Sequence, residues 1–259
     1  MIQARTALAL TLVGAARAAG DFSFDVPINA ASNMVVMPLA AEHRLSASHT
    51  VSAVARTAVA GVDQVAVRRQ LNKDINTNYA VRVTPNGRGR GHASHTGSPT
   101  GAYEVVGTSQ LADDKWHSLT TAFDADVSAT LVIDNIVEAV DFSVASASNP
   151  AVLGVMVGCG DTTGGPNPTC EAATDHLGMI SGVRIYSELL TSGELSQLGY
   201  HGSYRRPFRD QVLHLALHGR PGTGLGAMVP DWSQLQVHGD GSSGVQPTYV
   251  PSYTRGAGR

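Results

Sequence analysis

The chain has 259 residues, a formal net charge of −3 and only 15% charged residues, against roughly 25% in an ordinary soluble domain. That balance gives no general pull toward nucleic acid, and no apolar run approaches the roughly 18 residues of a membrane-spanning helix. With 28 glycines, 12 prolines and no clustering of helix formers, the composition indicates short strands and tight turns, in one large β-domain or two small ones.

In chain order, residues 1–19 have two readings. Arg5 precedes an apolar run from Ala7 to Ala16, and Ala16-Arg17-Ala18 has the form of a signal cleavage site. Leu8, Leu10 and Leu12 also alternate with Ala9 and Thr11, as in an ordered arm. Phe22, Phe24 and Val26 share a strand face, and further strands are expected at Met34–Pro38 and Thr50–Arg56. In Gly61–Gln70, Val65 and Val67 share a face; in Asn78–Val83, Tyr79 or Ala80 points inward. Gly87-Arg88-Gly89-Arg90-Gly91 reads as a flexible basic loop, followed by a short strand at Tyr103–Val106.

The clearest stretch is Asp113–Asn135, two strands joined by a turn at Asp124, Asp126 and Ser128. Trp116, His117, Leu119 and Ala122 belong to the first strand, with Trp116 expected in the core. Ala129, Leu131 and Ile133 face inward from the second, while Thr130 and Val132 face out. Strands around Val140 and Phe142, at Leu153–Val157 and at Gly182–Tyr186 follow, the last with Val183 and Ile185 on one face. A helix begins at Thr191, where Glu194 three residues on completes a capping box; Leu195 and Leu198 share its face and Gly199 ends it. Beyond the connector Tyr204–Arg209, Leu213, Leu215 and Leu217 alternate with His214, Ala216 and His218, and a Gly/Pro/Ser-rich tail runs to Arg259.

Three of these stretches resemble the laminin-G-like, or concanavalin A-like, jelly-roll family. Asp114-Lys115-Trp116-His117 with Leu131-Val132-Ile133-Asp134-Asn135 is similar to its central D-K-W-H … L-x-I-D-(G/N) pattern. TVSAVAR from Thr50 resembles an early strand, with Val54 where an aromatic is usual. GMISGVRIYSELLTSGELSQL, Gly178 to Leu198, resembles its closing strand and helix. The resemblance spans Ala31 to Leu198 and implies a fold with many functions. A tail segment, Leu213 to Gly244, resembles the opening of such jelly rolls, with Asp231 and Ser233 on its D-x-S. Its strand could complete the same sheet, cross to a neighbouring subunit, or form a satellite segment.

The chemistry expected of these residues is sparse. Glycoside hydrolysis needs two facing carboxyls, but Glu104, Glu138 and Glu171 are isolated, and Glu138 and Asp141 have the wrong parity for one strand face. His92/His95 and His214/His218 lack a third ligand at metal spacing and read as solvated; His117 reads as a structural strand histidine. Calcium is the ion such a family implies, with Asp124, Asp126 and Asp161 as candidates by position, although turn-forming aspartates explain them as well. Only Trp116 and Trp232 could serve as tryptophan platforms for a glycan. Cys159 and Cys170 bracket a turn-rich loop and read as a disulfide, against the alternative of two reduced thiols.

The expected fold is all-β: an antiparallel β-sandwich of concanavalin A-like jelly-roll type. An N-terminal arm or signal-like segment covers 1–30, the laminin-G-like domain 31–200, and a C-terminal strand plus Gly/Pro-rich extension 201–259. The expected function is non-enzymatic, without an assigned metal or cofactor. It is a structural or surface-binding component of a bacteriophage virion, such as a decoration, fibre or adhesion protein, packed against other structural subunits or itself as a homo-oligomer. A secreted, extracellular glycan-binding protein is the alternative, and a glycoside hydrolase a third. Cell-surface glycan is a secondary candidate partner, weakened by an aromatic content of 5%, which is sparse for a glycan platform.

Overall fold

The computed structural model describes residues 35–37, 45, 48–72, 76–94, 103–142, 155–159, 176–198, 211–216, 228–229 and 239–240. Its strands are β1 (Val35–Val36), β2 (His49–Thr57), β3 (Gln64–Asn72), β4 (Asn76–Val83), β5 (Arg88–Ser94), β6 (Tyr103–Gln110), β7 (Trp116–Asp124), β8 (Ser128–Ile133), β9 (Ile136–Asp141), β10 (Val155–Val157) and β11 (Gly178–Tyr186). Helix α1 (Ser192–Leu198) comes next, then β12 (Gln211–Ala216), β13 (Met228–Val229) and β14 (Gly239–Asp240). An eight-stranded sheet has the order β13-β14-β1-β10-β3-β4-β5-β6, and a six-stranded sheet the order β12-β11-β2-β7-β8-β9. The arrangement is the expected antiparallel sandwich.

Alternation places the core between the sheets. Val67, Tyr79, Val81 and Val105 of the large sheet join Val51, Leu119, Leu131, Ile133, Val183 and Ile185 of the small one in a single buried cluster. Ala129, Leu131 and Ile133 are buried as expected, and Tyr79, rather than Ala80, belongs to the cluster. Tyr103 stacks on Phe123 across the two sheets, with ring centroids 5.1 Å apart. β5 lies close against the small sheet: a Cβ on Gly91 would strike the Thr121 side chain of β7.

The turns follow their residues. Asp134 (φ 48°) and Asn135 (φ 69°) join β8 to β9. Two positive-φ positions make the type I′ hairpin that matches strand twist and favours Asn and Asp. Helix α1 carries the expected capping box: the Thr191 amide donates to Glu194 Oε2 at 2.8 Å, and the Glu194 amide to Thr191 Oγ1 at 3.4 Å.

Several expectations are corrected. The basic stretch at Arg88 is no loop but strand β5, paired to β4 and β6. Val65 and Val67 do not share a face: a bulge between them sets Val65 opposite Arg82 and Val67 opposite Val81. Trp116 is half-buried at the start of β7 rather than in the core. Strand β9 is an edge with Ile136 and Val137 exposed. For the tail, β12 pairs along β11, from Gly182↔Ala216 to Tyr186↔Gln211, so that strand completes its own sheet. The N-terminal arm or signal, Phe22–Val26, Leu217, and the tail beyond its two short strands lie outside the described residues.

Candidate functional site

The outer face of the large sheet carries an ordered set of polar groups. Arg68 of β3 lies opposite Ala80 of β4, Ala80 opposite His92 of β5, and His92 opposite Glu104 of β6. The neighbouring row is Val65, Arg82, Arg90 and Val106. Opposed residues of an antiparallel pair share a face. The intervening row, Val67, Val81, Gly91 and Val105, faces the core. The arginine rows therefore point away from the sandwich interior.

Each arginine has an anchor. Arg82 Nη1 donates to Asp63 Oδ2 at 2.5 Å. Arg90 Nη2 donates to Glu104 Oε2 at 2.8 Å. Arg68 Nε and Nη2 reach Thr77 Oγ1 at 3.2 and 2.9 Å. Arg82 is mostly buried, which lowers its proton affinity, and the Asp63 charge and hydrogen bond work against that loss; it stays a cation. Burial, reinforced by the fields of Arg82, Arg90 and Arg68, holds His92 well below the ordinary imidazole pKa, so its ring is neutral. Four buried atoms of this group, Arg82 Nε, Arg90 Nε, His92 Nδ1 and Asp63 Oδ1, have no hydrogen-bond partner. Each unmet buried polar atom costs about 1–3 kcal/mol, so a polar partner, water or ligand, is favoured here.

A second cluster lies at the start of β7. Arg56 forms a two-pronged ion pair with Asp114, Nε to Oδ1 and Nη2 to Oδ2, both 2.9 Å. His117 bridges two carboxylates: Nε2 to Asp113 Oδ1 at 2.9 Å and Nδ1 to Asp134 Oδ2 at 2.7 Å. Asp134 Oδ1 also accepts the Ser118 amide at 2.8 Å. These bonds fasten the loop before β7 to the β8–β9 turn. Every polar group named is engaged within the chain, so the cluster is structural, as expected for His117.

The other sequence candidates scatter. Glu104 sits on the arginine face, whereas Glu138 accepts the Thr108 and Ser109 amides at 2.7 and 3.0 Å and ties β9 to β6. Asp141 closes β9, and Glu171 is outside the described residues. His92 is buried, 8% exposed, not solvated, and lies in strand β5 between β4 and β6 rather than in a loop. His214 is in β12 opposite Arg184; His95 and His218 are outside the described residues. Asp124 accepts the Ser48 hydroxyl at 3.0 Å, and Asp126 occupies the β7–β8 turn with φ 60°. Two such carboxylates do not make the six-to-eight-oxygen cage that calcium takes, and no group of three metal-ligating side chains occurs among the described residues. Asp161 and Trp232 are outside them. Cys159 is buried just after β10; Cys170 lies outside the described residues, and their pairing stays a proposal that masses before and after reduction test.

Sequence reasoning missed the arginine face. Its signal was present: Arg88, Arg90 and His92 alternate with Gly89 and Gly91 at the period of a strand. Glycine, a breaker by its local propensity, serves here as a thin inner face.

Residues 30–196 match the Concanavalin A-like lectin/glucanases superfamily. No match occurs among curated proteins. Among solved structures, a Bacteroides ovatus protein assigned to carbohydrate binding is similar over 90% of this chain and 61% of its own, with TM-score 0.63 and 14% identity. The chain thus spans about three fifths of that protein's length. A heptameric SAP-like pentraxin from Limulus polyphemus is similar over 74% of this chain and 88% of its own, with TM-score 0.55 and 13% identity. The CBM40 of a Ruminococcus gnavus IT-sialidase, bound to α2,3-sialyllactose, is similar over 70% and 95%, with TM-score 0.52 and 13% identity. At such identities the likeness is one of fold.

Proposed function

The chain belongs to the Concanavalin A-like lectin/glucanases superfamily, and on that premise we propose that it is a non-enzymatic carbohydrate-binding module of a surface or extracellular protein. The observation that carries the reading is the outer face of β3–β6, where planar Arg forks, a neutral ring and the exposed acceptor Glu104 lie side by side. Such planar donors and acceptors suit the paired hydroxyls of a sugar. The Bacteroides ovatus and Ruminococcus gnavus structures, both described through carbohydrate, support it. Cleavage needs two carboxyls roughly 5–10 Å apart across a sugar; Glu104 is held by Arg90 and Glu138 by backbone amides. A glycan array is the test. Specific binding without release of reducing ends is expected. Released ends would overturn the non-enzymatic reading, and an empty array the glycan reading.

A finer setting is a virus-particle surface, such as that of a bacteriophage, with the chain packed against copies of itself. It is favoured by edge strand β9, where Ile136 is 65% and Val137 58% exposed, and Phe142 just beyond it 77%. Apolar edges are templates for pairing between chains. Native mass measurement should give an oligomer that Ile136→Lys dissociates. A monomer at every concentration would leave the secreted lectin-like setting instead.

A further inference from the structure

We infer that the sugar taken by this face is acidic: a carboxylate or sulfate group of a glycan seats against Arg82 and Arg90, beside His92 and Arg68. The inference rests on the glycan-binding reading and narrows its ligand class.

The charges argue for it. Among the described residues of this face, four guanidinium groups, those of Arg68, Arg82, Arg88 and Arg90, stand against two carboxylates, Asp63 and Glu104. Arg82 and Arg90 are directly opposed on β4 and β5. Like charges so placed destabilise a strand pair, and a shared anion between them removes that cost. The ring of His92 adds no competing charge and leaves a buried nitrogen without a partner.

The hydrogen bonds argue the same way. Glu104 holds Arg90 through one nitrogen, Nη2, while the adjacent Nε is buried and unpartnered. A guanidinium fork is best met by two oxygens at once. A ligand carboxylate or sulfate supplies both. Glu104, 55% exposed in its side chain, then returns to water at little cost. It therefore acts as a built-in competitor for the ligand. Arg82, more deeply buried with its Nε also unmet, supplies fixed positive charge behind the fork. A neutral hydroxyl could accept one of these bonds but would not balance the charge.

The experiment is an array of neutral, sialylated, uronic-acid-bearing and sulfated glycans, probed with the full chain and its variants. Acidic glycans should be preferred over neutral ones, and the sialylated, uronic and sulfated arms identify which acid group is used. Arg90→Gln should weaken binding roughly tenfold, the scale of one charge-assisted hydrogen bond. Arg68→Gln, at a half-exposed position, is the second loss variant. Glu104→Gln should strengthen binding several-fold, a gain that misfolding cannot produce. Asp126→Asn, in the exposed β7–β8 turn, makes the same change in net charge away from the face and should leave binding unaltered. Binding confined to neutral glycans, or acidic binding unchanged in both Arg90→Gln and Glu104→Gln, would overturn the inference and leave the glycan reading standing. No binding to any glycan would remove both.

Discussion

His117 and His176 respond to pH with opposite signs. Burial lowers the proton affinity of His117, but the hydrogen bonds and charges of Asp134 and Asp113 outweigh it, and the net pKa is raised above 6.5. The folded state therefore holds this proton more tightly than the unfolded chain. Its contribution is fully present below 6.5 and is lost as pH rises through the raised value. His176 is fully buried, and its Nε2 lies 3.3 Å from the Arg56 and Met179 carbonyls. Burial lowers its pKa to about 4. Its contribution, on the order of 3 kcal/mol, is present above 6.5 and fades as pH falls toward about 4. His92, lowered for the reasons given above, acts in the same direction. Melting temperature should thus climb from about pH 4 to 6.5 and decline above it, as His117 loses its proton. Replacing His117 with Gln should flatten the upper decline and leave the lower climb. A variant with the parent's slope on the alkaline side would show that the bridge to Asp113 and Asp134 stabilises nothing. Asp113, held low first by its bond from His117 and then by Lys115, loses its contribution only in stronger acid. Lys115 and the Arg56–Asp114 pair border the same cluster but do not titrate between these limits.

Among the elements, what could be read from the sequence depended on whether local alternation agreed with tertiary contact. β8 was legible because Ala129, Leu131 and Ile133 bury one face without interruption. Helix α1 was legible because Thr191 and Glu194 cap it within four residues of chain. The bulge after Val65 was not, since it depends on pairing with β4 and has no signature in GVDQVAV. β5 failed for a different reason. Its glycines mark where the opposite sheet approaches: a Cβ on Gly89 would lie 2.6 Å from Ile133 Cδ1, and one on Gly91 would strike Thr121. The candidate site shared that fate, because Arg90 and His92 alternate with those glycines. The same contact yields a prediction. Gly91→Val should destabilise the fold by about 1–3 kcal/mol through overpacking, since neither sheet can yield without shifting the other. Gly91→Ala should cost less, because only one carbon must be accommodated. Urea denaturation measures both; a valine variant as stable as the parent would mean that the sheets separate freely at this corner.

At the scale of the molecule, the sandwich depends on strands distant in sequence. β12 lies past residue 200, where the sequence suggests that the core domain ends, yet it is hydrogen-bonded along β11. It buries Leu213 and Leu215 completely, and Gln211 Nε2 donates to the buried Tyr186 hydroxyl at 3.0 Å. Burial of each leucine contributes about 1.5–3 kcal/mol, so the two alone approach the lower end of the roughly 5–15 kcal/mol that holds a domain folded. β13 and β14 are different. They join the large sheet at its edge, through one pairing of Asp240 with Val36. A chain ending at residue 218 should therefore melt cooperatively within a few degrees of the full chain, whereas one ending at residue 200 should not fold. Any difference between the full chain and the 218-residue form should appear in native mass rather than melting, if the tail serves contacts between copies. Cooperative melting of the 200-residue chain at the parent temperature would mean that β11 can stand as an edge, and that β12 is an ornament on a sandwich complete without it.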